Sequence, residues 1–224
     1  MNEISRIKAS YIKGFLIKHH IEHELADKDL DLLEEDDYNQ LDEIGRTYNL
    51  KLYYFKEKED LARVKIVLGF LKNIYPNTLL DVGSGRGVFL FPLLRDFPNT
   101  SVTSLDILDK RIEILNYIQL GGIKRLNPVH ANICDVAFAD SSFDVVTMLE
   151  VLEHIPDVKK AIQNAVRIAK NFIVVTVPSK EDNNPEHIHL LTKDILISLF
   201  HDCGVTNIKF GGVNGHLFLV AKKG

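Results

Sequence analysis

The segment from Leu79 to Gly87 constrains the fold of this chain more than any other stretch. An apolar run ends there in Asp81, and glycines follow at positions 83, 85 and 87, with Ser84 between the first two. Glycine lets the backbone turn sharply and lets a ligand approach the main chain closely. Because an apolar segment predicted as a helix comes next, the unit is typical of a strand, turn and helix that bind a nucleotide-like ligand.

The acid of this segment narrows the kind of ligand. Asp81 would repel a phosphate group, so the segment favours a ligand part that is neutral or cationic. A dinucleotide-binding loop has the spacing G-x-G-x-x-G, whereas here the third glycine comes one residue early and position 88 is Val. The sequence therefore disfavours a nicotinamide or flavin cofactor.

Apolar and polar stretches alternate regularly from residue 57 onward. A helix is predicted to stop before Pro76. Strands are then predicted at 78–82, 101–106, 125–130, 143–148 and 172–177, and helices at 86–96, 109–120, 157–170 and 192–203. The tail reads as two further strands, 205–210 and 216–221, joined by a short turn. We therefore expect an α/β fold with a doubly wound, mainly parallel seven-stranded sheet that closes with an antiparallel hairpin.

Residues 1–56 differ from the rest of the chain in their pattern of apolar and charged residues, and they are predicted to form two or three helices that precede this core. Apolar residues recur there at helical spacing, and a strongly acidic run follows at 27–37. We expect a helical unit over 1–56 and a ligand-binding domain over 57–224. The first unit is favoured as a packing cap or a dimer arm, with a lid over the substrate as the alternative.

Bulk composition excludes several classes of protein. The 224 residues carry a formal charge of −4, which argues against a general nucleic-acid surface. Cys134 and Cys203 lie far apart without C-x-x-C spacing, so ordinary reduced thiols are favoured over a disulfide or zinc framework. No apolar run approaches the roughly 18 residues of a membrane span. These features predict a cytoplasmic protein.

A second acid ends the second predicted strand. Asp106 follows Asp81 by 25 positions, near the spacing expected for a carboxylate that accepts hydrogen bonds from ribose hydroxyls. Its alternative role is to cap the following helix, but Asp109 stands in a better position for that.

These motifs together resemble class I S-adenosylmethionine-dependent methyltransferases, whose first motif is D-x-G-x-G-x-G, and in particular the type 11 and ubiquinone-pathway small-molecule enzymes. The resemblance covers about residues 60–224 and implies S-adenosylmethionine as cofactor. The acid and glycine turn would then hold its amino acid part, Asp106 its ribose, and Asn132 its adenine amino group, with Ile133 and Ile107 on the two ring faces. The implied cofactor-binding residues are Asp81, Gly83, Ser84, Gly85, Gly87, Asp106, Ile107, Asn132, Ile133 and Leu149.

The string Glu150-Val-Leu-Glu153-His154 follows the fourth strand and carries the candidate chemistry. If 150–154 forms a helical turn, the two acids and the histidine share one face. With His187 from the segment 185–192 they would suit a divalent metal ion. This pattern is similar to that of small-RNA 2′-O-methyltransferases and ubiquinone-pathway catechol O-methyltransferases, for which it implies a metal that binds the acceptor hydroxyls.

Many class I enzymes carry the same string without using a metal, so a metal-free mechanism is the favoured expectation. The sulfonium is already activated, and alignment with a general base then suffices. His154 or His187 would be that base, and Glu150 is a further catalytic candidate.

The favoured function is transfer of a methyl group from S-adenosylmethionine to an oxygen or nitrogen of a small molecule. A metal-assisted RNA 2′-O-methyltransferase and a non-catalytic cofactor-binding or scaffold protein are the alternatives. The expected partner is a small-molecule acceptor, and a homodimer stays open.

Overall fold

A single seven-stranded sheet organises the computed structural model, which describes residues 3–55, 60–181 and 183–224. Its strands are β1 (Thr78–Val82), β2 (Ser101–Asp106), β3 (Leu126–His130), β4 (Phe143–Leu149), β5 (Ala169–Pro178), β6 (Asn207–Val213) and β7 (His216–Lys222). They lie in the order β3-β2-β1-β4-β5-β7-β6. Neighbours from β3 through β5 are parallel, whereas β7 is antiparallel to both β5 and β6. The predicted parallel sheet with a closing hairpin is confirmed.

Helices cover both faces of this sheet. They are α1 (Glu3–Lys18), α2 (Glu24–Asp27), α3 (Glu35–Thr47), α4 (Ala62–Ile74), α5 (Leu90–Asp96), α6 (Asp109–Leu120), α7 (Val158–Ile168) and α8 (Lys193–His201). Short 3₁₀ turns lie at Leu30–Leu32, Leu52–Phe55 and Leu152–His154. Within the described ranges, no helix combines the length and the apolar character needed to cross a membrane.

Alternation along the strands divides the core into two layers. In β1, Leu79 packs in the layer that contains α1, α4, α5 and α6, whereas Leu80 packs in the layer of α7 and α8. Both side chains are fully buried. Successive residues of a strand point to opposite faces, so an unbroken apolar run is what a sheet covered on both sides requires.

The first helix packs closely on the body of the fold. Gly14 of α1 and Gly121 after α6 allow backbone-to-backbone contact, since an added Cβ at Gly14 would overlap the Tyr117 carbonyl and one at Gly121 the Ser10 carbonyl. Ile7, Ile12 and Leu16 of α1 are fully buried in the same layer as α6. The helical N-terminal segment therefore shares its hydrophobic core with one face of the sheet.

Helix α5 is shorter than the sequence predicts. It begins at Leu90 instead of residue 86. The backbone keeps left-handed φ values through Gly83, Gly85 and Gly87, and a right-handed helix cannot start before that turn is complete.

Candidate functional site

The glycine turn after β1 lies against the chain that leaves β4. Gly83 has φ +70, and an added Cβ there would lie 2.5 Å from the Val151 side chain. A larger residue would therefore be strained in its backbone and would collide with its neighbour. The turn is packed against the carboxyl end of β4, which is where β1 and β4 pair through Val82 and Met148.

Asp81 is a buried carboxylate held by two hydroxyl groups. It is 2% exposed, and it accepts hydrogen bonds from Ser84 Oγ at 2.6 Å and Thr147 Oγ1 at 2.8 Å. Burial raises the pKa of Asp81 to about 6, although both hydrogen bonds oppose the shift and the nearby Asp106 adds to it. A cation placed beside Asp81 would therefore stabilise its charged form.

Asp106 ties the end of β2 to the glycine turn. Its two oxygens accept hydrogen bonds from the backbone N–H groups of Gly85 at 3.2 Å and Leu108 at 3.0 Å. The side chain is buried, but the next two residues, Ile107 and Leu108, are 61% and 51% exposed. Two apolar side chains therefore face solvent directly beside a fixed carboxylate.

A cavity of about 540 Å³ opens in front of these residues. It is lined by Lys51, Tyr54, Arg86, Ile107, Leu108, Asp109, Lys110 and Arg111. The lining thus contains four cationic side chains and one carboxylate. None of the four cations forms a side-chain ion pair within the described ranges. Lys51 and Tyr54 come from the N-terminal segment, so that segment forms one wall.

Asn132 and Ile133 lie elsewhere than this cavity wall. Asn132 Oδ1 accepts a hydrogen bond from the Cys134 backbone N–H at 2.9 Å, which forms a local turn after β3. Ile133 is 2% exposed and packs in the layer of α7 and α8. Of the residues expected around the adenine ring, Ile107 is the one that lines the cavity.

The exit from β4 departs from the predicted helical turn. Glu150 has φ +57, a left-handed conformation that a right-handed helix cannot contain, and the only helical turn here is the 3₁₀ turn Leu152–His154. The Glu150 backbone N–H donates to the Thr176 carbonyl of β5 at 2.9 Å. The prediction that Glu150 shares a face with Glu153 and His154 is therefore wrong, and Glu150 points instead to His216, with Oε2 2.9 Å from Nδ1.

Three of the four predicted metal-binding residues do come together. Glu153, His154 and His187 offer ligand atoms that all lie within 4.8 Å of one another. Glu153 is 1% exposed, and the two imidazole rings meet edge to face at 4.8 Å between centroids. The arrangement could hold a divalent cation through one carboxylate and two nitrogens.

The segment that carries His187 is fixed to this turn by its backbone. The Ile188 N–H donates to the Glu153 carbonyl at 2.9 Å, and His154 Nδ1 donates to the Glu186 carbonyl at 2.9 Å. Because Nδ1 carries the proton in that bond, a neutral His154 presents the lone pair of Nε2. His189 Nε2 adds a third link by donating to the Ile155 carbonyl at 3.1 Å.

Sequence reasoning missed His216 and the cationic residues of the cavity wall. His216 begins β7 and pairs with Pro178 of β5. Because β7 is antiparallel, its first residue lies at the same edge of the sheet as the carboxyl ends of the parallel strands. The predicted hairpin contained this signal, since it already put position 216 at the start of the last strand.

A family profile described as a methyltransferase domain matches residues 80–172. The match runs from β1 into β5 and so contains the glycine turn, Asp106 and the exit from β4.

Two relatives show the extent of the similarity. The chain is 29% identical over 109 residues to the ubiquinone biosynthesis O-methyltransferase of Vibrio cholerae, which covers 48% of this chain and 44% of that protein. It is 27% identical over 171 residues to the protein of the same name from Vibrio campbellii, with coverage of 76% and 62%. The chain thus spans less than two thirds of the length of these curated relatives.

Solved structures share the fold at low sequence identity. A SAM-dependent methyltransferase from Archaeoglobus fulgidus matches with a TM-score of 0.56 at 16% identity, covering 71% of this chain and 94% of that chain. At this identity the likeness concerns the arrangement of strands and helices.

Proposed function

We propose that this chain is a class I S-adenosylmethionine-dependent methyltransferase that transfers a methyl group from S-adenosylmethionine to an oxygen or nitrogen of a small molecule. The observation that carries the proposal is the pair of buried carboxylates, Asp81 and Asp106, which lie near the carboxyl ends of neighbouring strands and both accept hydrogen bonds from the glycine turn. The methyltransferase-domain profile matches residues 80–172 and so includes both carboxylates.

The charge of the cofactor suits these carboxylates. S-adenosylmethionine carries an ammonium group and a sulfonium, and Asp81 is a buried acid whose charge gains from a nearby cation. Asp106 is oriented by the Gly85 and Leu108 N–H groups, so its remaining lone pairs can accept from two ribose hydroxyls. Gly83 and Gly85 would let the ligand approach the main chain, with Ser84 supporting Asp81 from within the turn.

The adenosine part would occupy the cavity beside the end of β2. Ile107 and Leu108 offer exposed apolar surface for the ring. Asn132 lies outside the cavity wall, and it would bind an adenine amino group that extends beyond the cavity through the Oδ1 lone pair that the Cys134 N–H does not use. Ile133, which is buried, would support the site from the core, and Leu149, the last residue of β4, would lie near the reacting centre.

Methyl transfer itself asks little of the protein. The sulfonium methyl needs an acceptor lone pair held in line, water kept away, and a group that takes the acceptor proton. His154 and His187 stand next to one another at the exit from β4 and could orient the acceptor or take that proton.

A divalent metal ion is a further proposal for the same region. Glu153, His154 and His187 would hold it, with the Nδ1–H of His154 fixed on a backbone carbonyl as is usual for a histidine ligand. Such an ion, when bound, lowers the pKa of a hydroxyl group. Calorimetric titration with Mn²⁺, Zn²⁺ and Mg²⁺ should show one site that His187→Ala weakens at least tenfold and the exposed control His201→Ala does not. Equal affinity in all three proteins would contradict the proposal.

The N-terminal segment is proposed to act as a cap over the cofactor. Lys51 and Tyr54 form one wall of the cavity, and α1 is anchored to the body of the fold by buried apolar residues. These contacts favour a cap over a free dimer arm.

A labelled-methyl assay tests the proposed activity. The chain is incubated with S-adenosylmethionine that carries a labelled methyl group and with a panel of catechols, phenols and amines, or with total RNA. We expect label in a small molecule, and none when Asp81→Ala replaces the wild type. Label that enters RNA alone would contradict the proposal.

A further inference from the structure

Three neighbouring strands, β4, β5 and β7, have polar side chains at the end of the sheet where the parallel strands have their carboxyl ends. These are Glu150 after β4, Thr176 near the end of β5 and His216 at the start of β7. Glu150 Oε1 and Thr176 Oγ1 are buried and have no hydrogen-bond partner among the described residues. Buried polar atoms are nearly always paired in folded proteins, so a pair of unpaired atoms on adjacent strands marks a place with a function.

The acid and the histidine form a close pair. Glu150 Oε2 lies 2.9 Å from His216 Nδ1, and each side chain is largely but not fully covered. The contact does not have the in-line geometry of a hydrogen bond, and a small rotation of the ring would provide it. Because Nδ1 faces the carboxylate, Nε2 is the ring nitrogen left for another molecule.

The backbone at Glu150 supports a functional origin of this pair. A non-glycine residue with φ +57 occupies a sparsely populated region, and such residues persist only where the surroundings fix them. Here the hydrogen bond from the Glu150 N–H to the Thr176 carbonyl fixes the conformation. The left-handed turn ends β4 and directs the carboxylate toward β7.

The pair also lies next to the proposed methyl donor. Val151, which follows Glu150 directly, is the residue whose side chain fills the space beside Gly83. The residue that carries the acid of the pair is therefore the chain neighbour of the residue that packs on the glycine turn.

We propose that His216 is the general base that takes the proton of the methyl acceptor, and that Glu150 is the positioning residue that orients it. The proposal rests on the proposed methyl transfer and names its base. The acceptor oxygen or nitrogen forms a bond to the methyl carbon, and the carbon–sulfur bond breaks with its electron pair going to sulfur. The acceptor proton passes to His216 Nε2, Glu150 stabilises the resulting imidazolium, and water later removes the proton.

This assignment differs from the candidates His154 and His187. His154 binds the segment 183–192 to the turn after β4 through the Glu186 carbonyl, and His154 and His187 both lie close to Glu153. His216 instead faces Glu150, an acid after β4 on the far side of β5, and one oxygen of that acid has no hydrogen-bond partner among the described residues. Proton transfer and metal binding are thereby assigned to separate residue groups.

Three substitutions separate the roles. His216→Asn keeps a donor near the position of Nδ1 but has no basic nitrogen, Glu150→Gln keeps the shape of the acid without its charge, and His201→Gln changes an exposed histidine of α8 as a control. We expect kcat to fall about 100-fold for His216→Asn and about tenfold for Glu150→Gln. The Kd for S-adenosylmethionine and the Tm should stay within the range of the control variant.

A series of catechols of graded acidity distinguishes a base from a structural residue. A base matters less when the acceptor is already ionised, so the loss in His216→Asn should shrink as the acceptor becomes more acidic. An equal loss for every acceptor would overturn the proposal, as would full activity of His216→Asn alongside an inactive His154→Asn or His187→Asn. A wild-type chain that methylates no acceptor overturns the proposed function and this inference with it, whereas an active wild type with an unaffected His216→Asn overturns this inference alone.

Discussion

The site has two parts, which differ in how their acidic side chains are hydrogen-bonded. We call the part that contains Asp81 and Asp106 the β1–β2 edge, and the part that contains Glu150, Thr176 and His216 the β4–β7 edge. At the β1–β2 edge, Asp81 and Asp106 each accept two hydrogen bonds from nearby groups. At the β4–β7 edge, Glu150 has a left-handed backbone, and one Glu150 oxygen and the Thr176 hydroxyl are buried without a hydrogen-bond partner among the residues that the structure describes. The first edge is built to hold a ligand in one position. The second has polar groups that could form their hydrogen bonds with a further molecule.

This difference separates binding from turnover. Substitutions at the β1–β2 edge should change the Kd for S-adenosylmethionine, whereas those at the β4–β7 edge should change kcat and leave that Kd alone. The following predictions test the division in order of decreasing effect.

Removing the charge of Asp81 should have the largest effect on binding. Asp81→Asn keeps the size of the side chain but loses the attraction to the cationic cofactor, and we expect Kd to rise roughly 100-fold, as for the loss of charge-assisted hydrogen bonds. Calorimetry measures it, with Asp140→Asn, an exposed acid paired with Arg167, as control. A rise below threefold would remove Asp81 from the site.

Acid should weaken binding through the same residue. The pKa of Asp81 is raised to about 6 by burial, so lowering the pH through that value protonates the acid and removes its charge. One unit below the pKa most of the groups are neutral, and affinity at pH 5 should be about tenfold lower than at pH 7. Calorimetry across this range should show the decline in the wild type and none in Asp81→Asn. Constant wild-type affinity would contradict the prediction.

Two buried threonines, one at each edge, allow the same substitution to be compared at both. Thr147→Val removes the hydroxyl that donates to Asp81, and we expect Kd to rise roughly fivefold, with the pH midpoint of binding moving upward. Thr176→Val removes a hydroxyl that has no hydrogen-bond partner in the described part of the chain, so Kd should stay constant and the Tm should not fall. Equal effects of the two substitutions on Kd would erase the distinction between the edges.

The smallest effect concerns the backbone at Glu150. Glu150→Gly and Glu150→Ala both remove the carboxylate, but only glycine accepts φ +57 without strain. The glycine variant should therefore be about 1 kcal/mol more stable than the alanine variant by chemical denaturation. Equal stability would show that the left-handed turn carries no strain.

Sequence could predict the parts of the site that are local in the chain. Asp81 and the glycine turn lie at the end of an apolar run, and Asp106 ends the next predicted strand, so their positions followed from strand boundaries. The start of α5 was misplaced because an apolar run does not reveal that the left-handed turn continues to Gly87.

The β4–β7 edge could not be predicted in the same way. A helical turn is the ordinary expectation for Glu150 through His154, and nothing in the residue types indicates the left-handed φ that separates Glu150 from Glu153. The pairing of Glu150 with His216 joins positions far apart in the chain and depends on the register of β7 against β5. By contrast, His187 could be placed near Glu153 because it follows a neighbouring strand.

The contact between Gly14 and the carboxyl end of α6 has a practical consequence for protein design. The first turn of α6 carries Lys110 and Arg111 of the cavity, and the segment after α1 carries Lys51 and Tyr54, so the contact joins the two parts of the chain that form the cavity walls. A fragment that starts at α4 would lose one wall and expose the apolar face of α6 that α1 now covers. Fragments intended for screening or crystallisation should therefore keep the first helix, and an affinity tag should not replace or interrupt that helix.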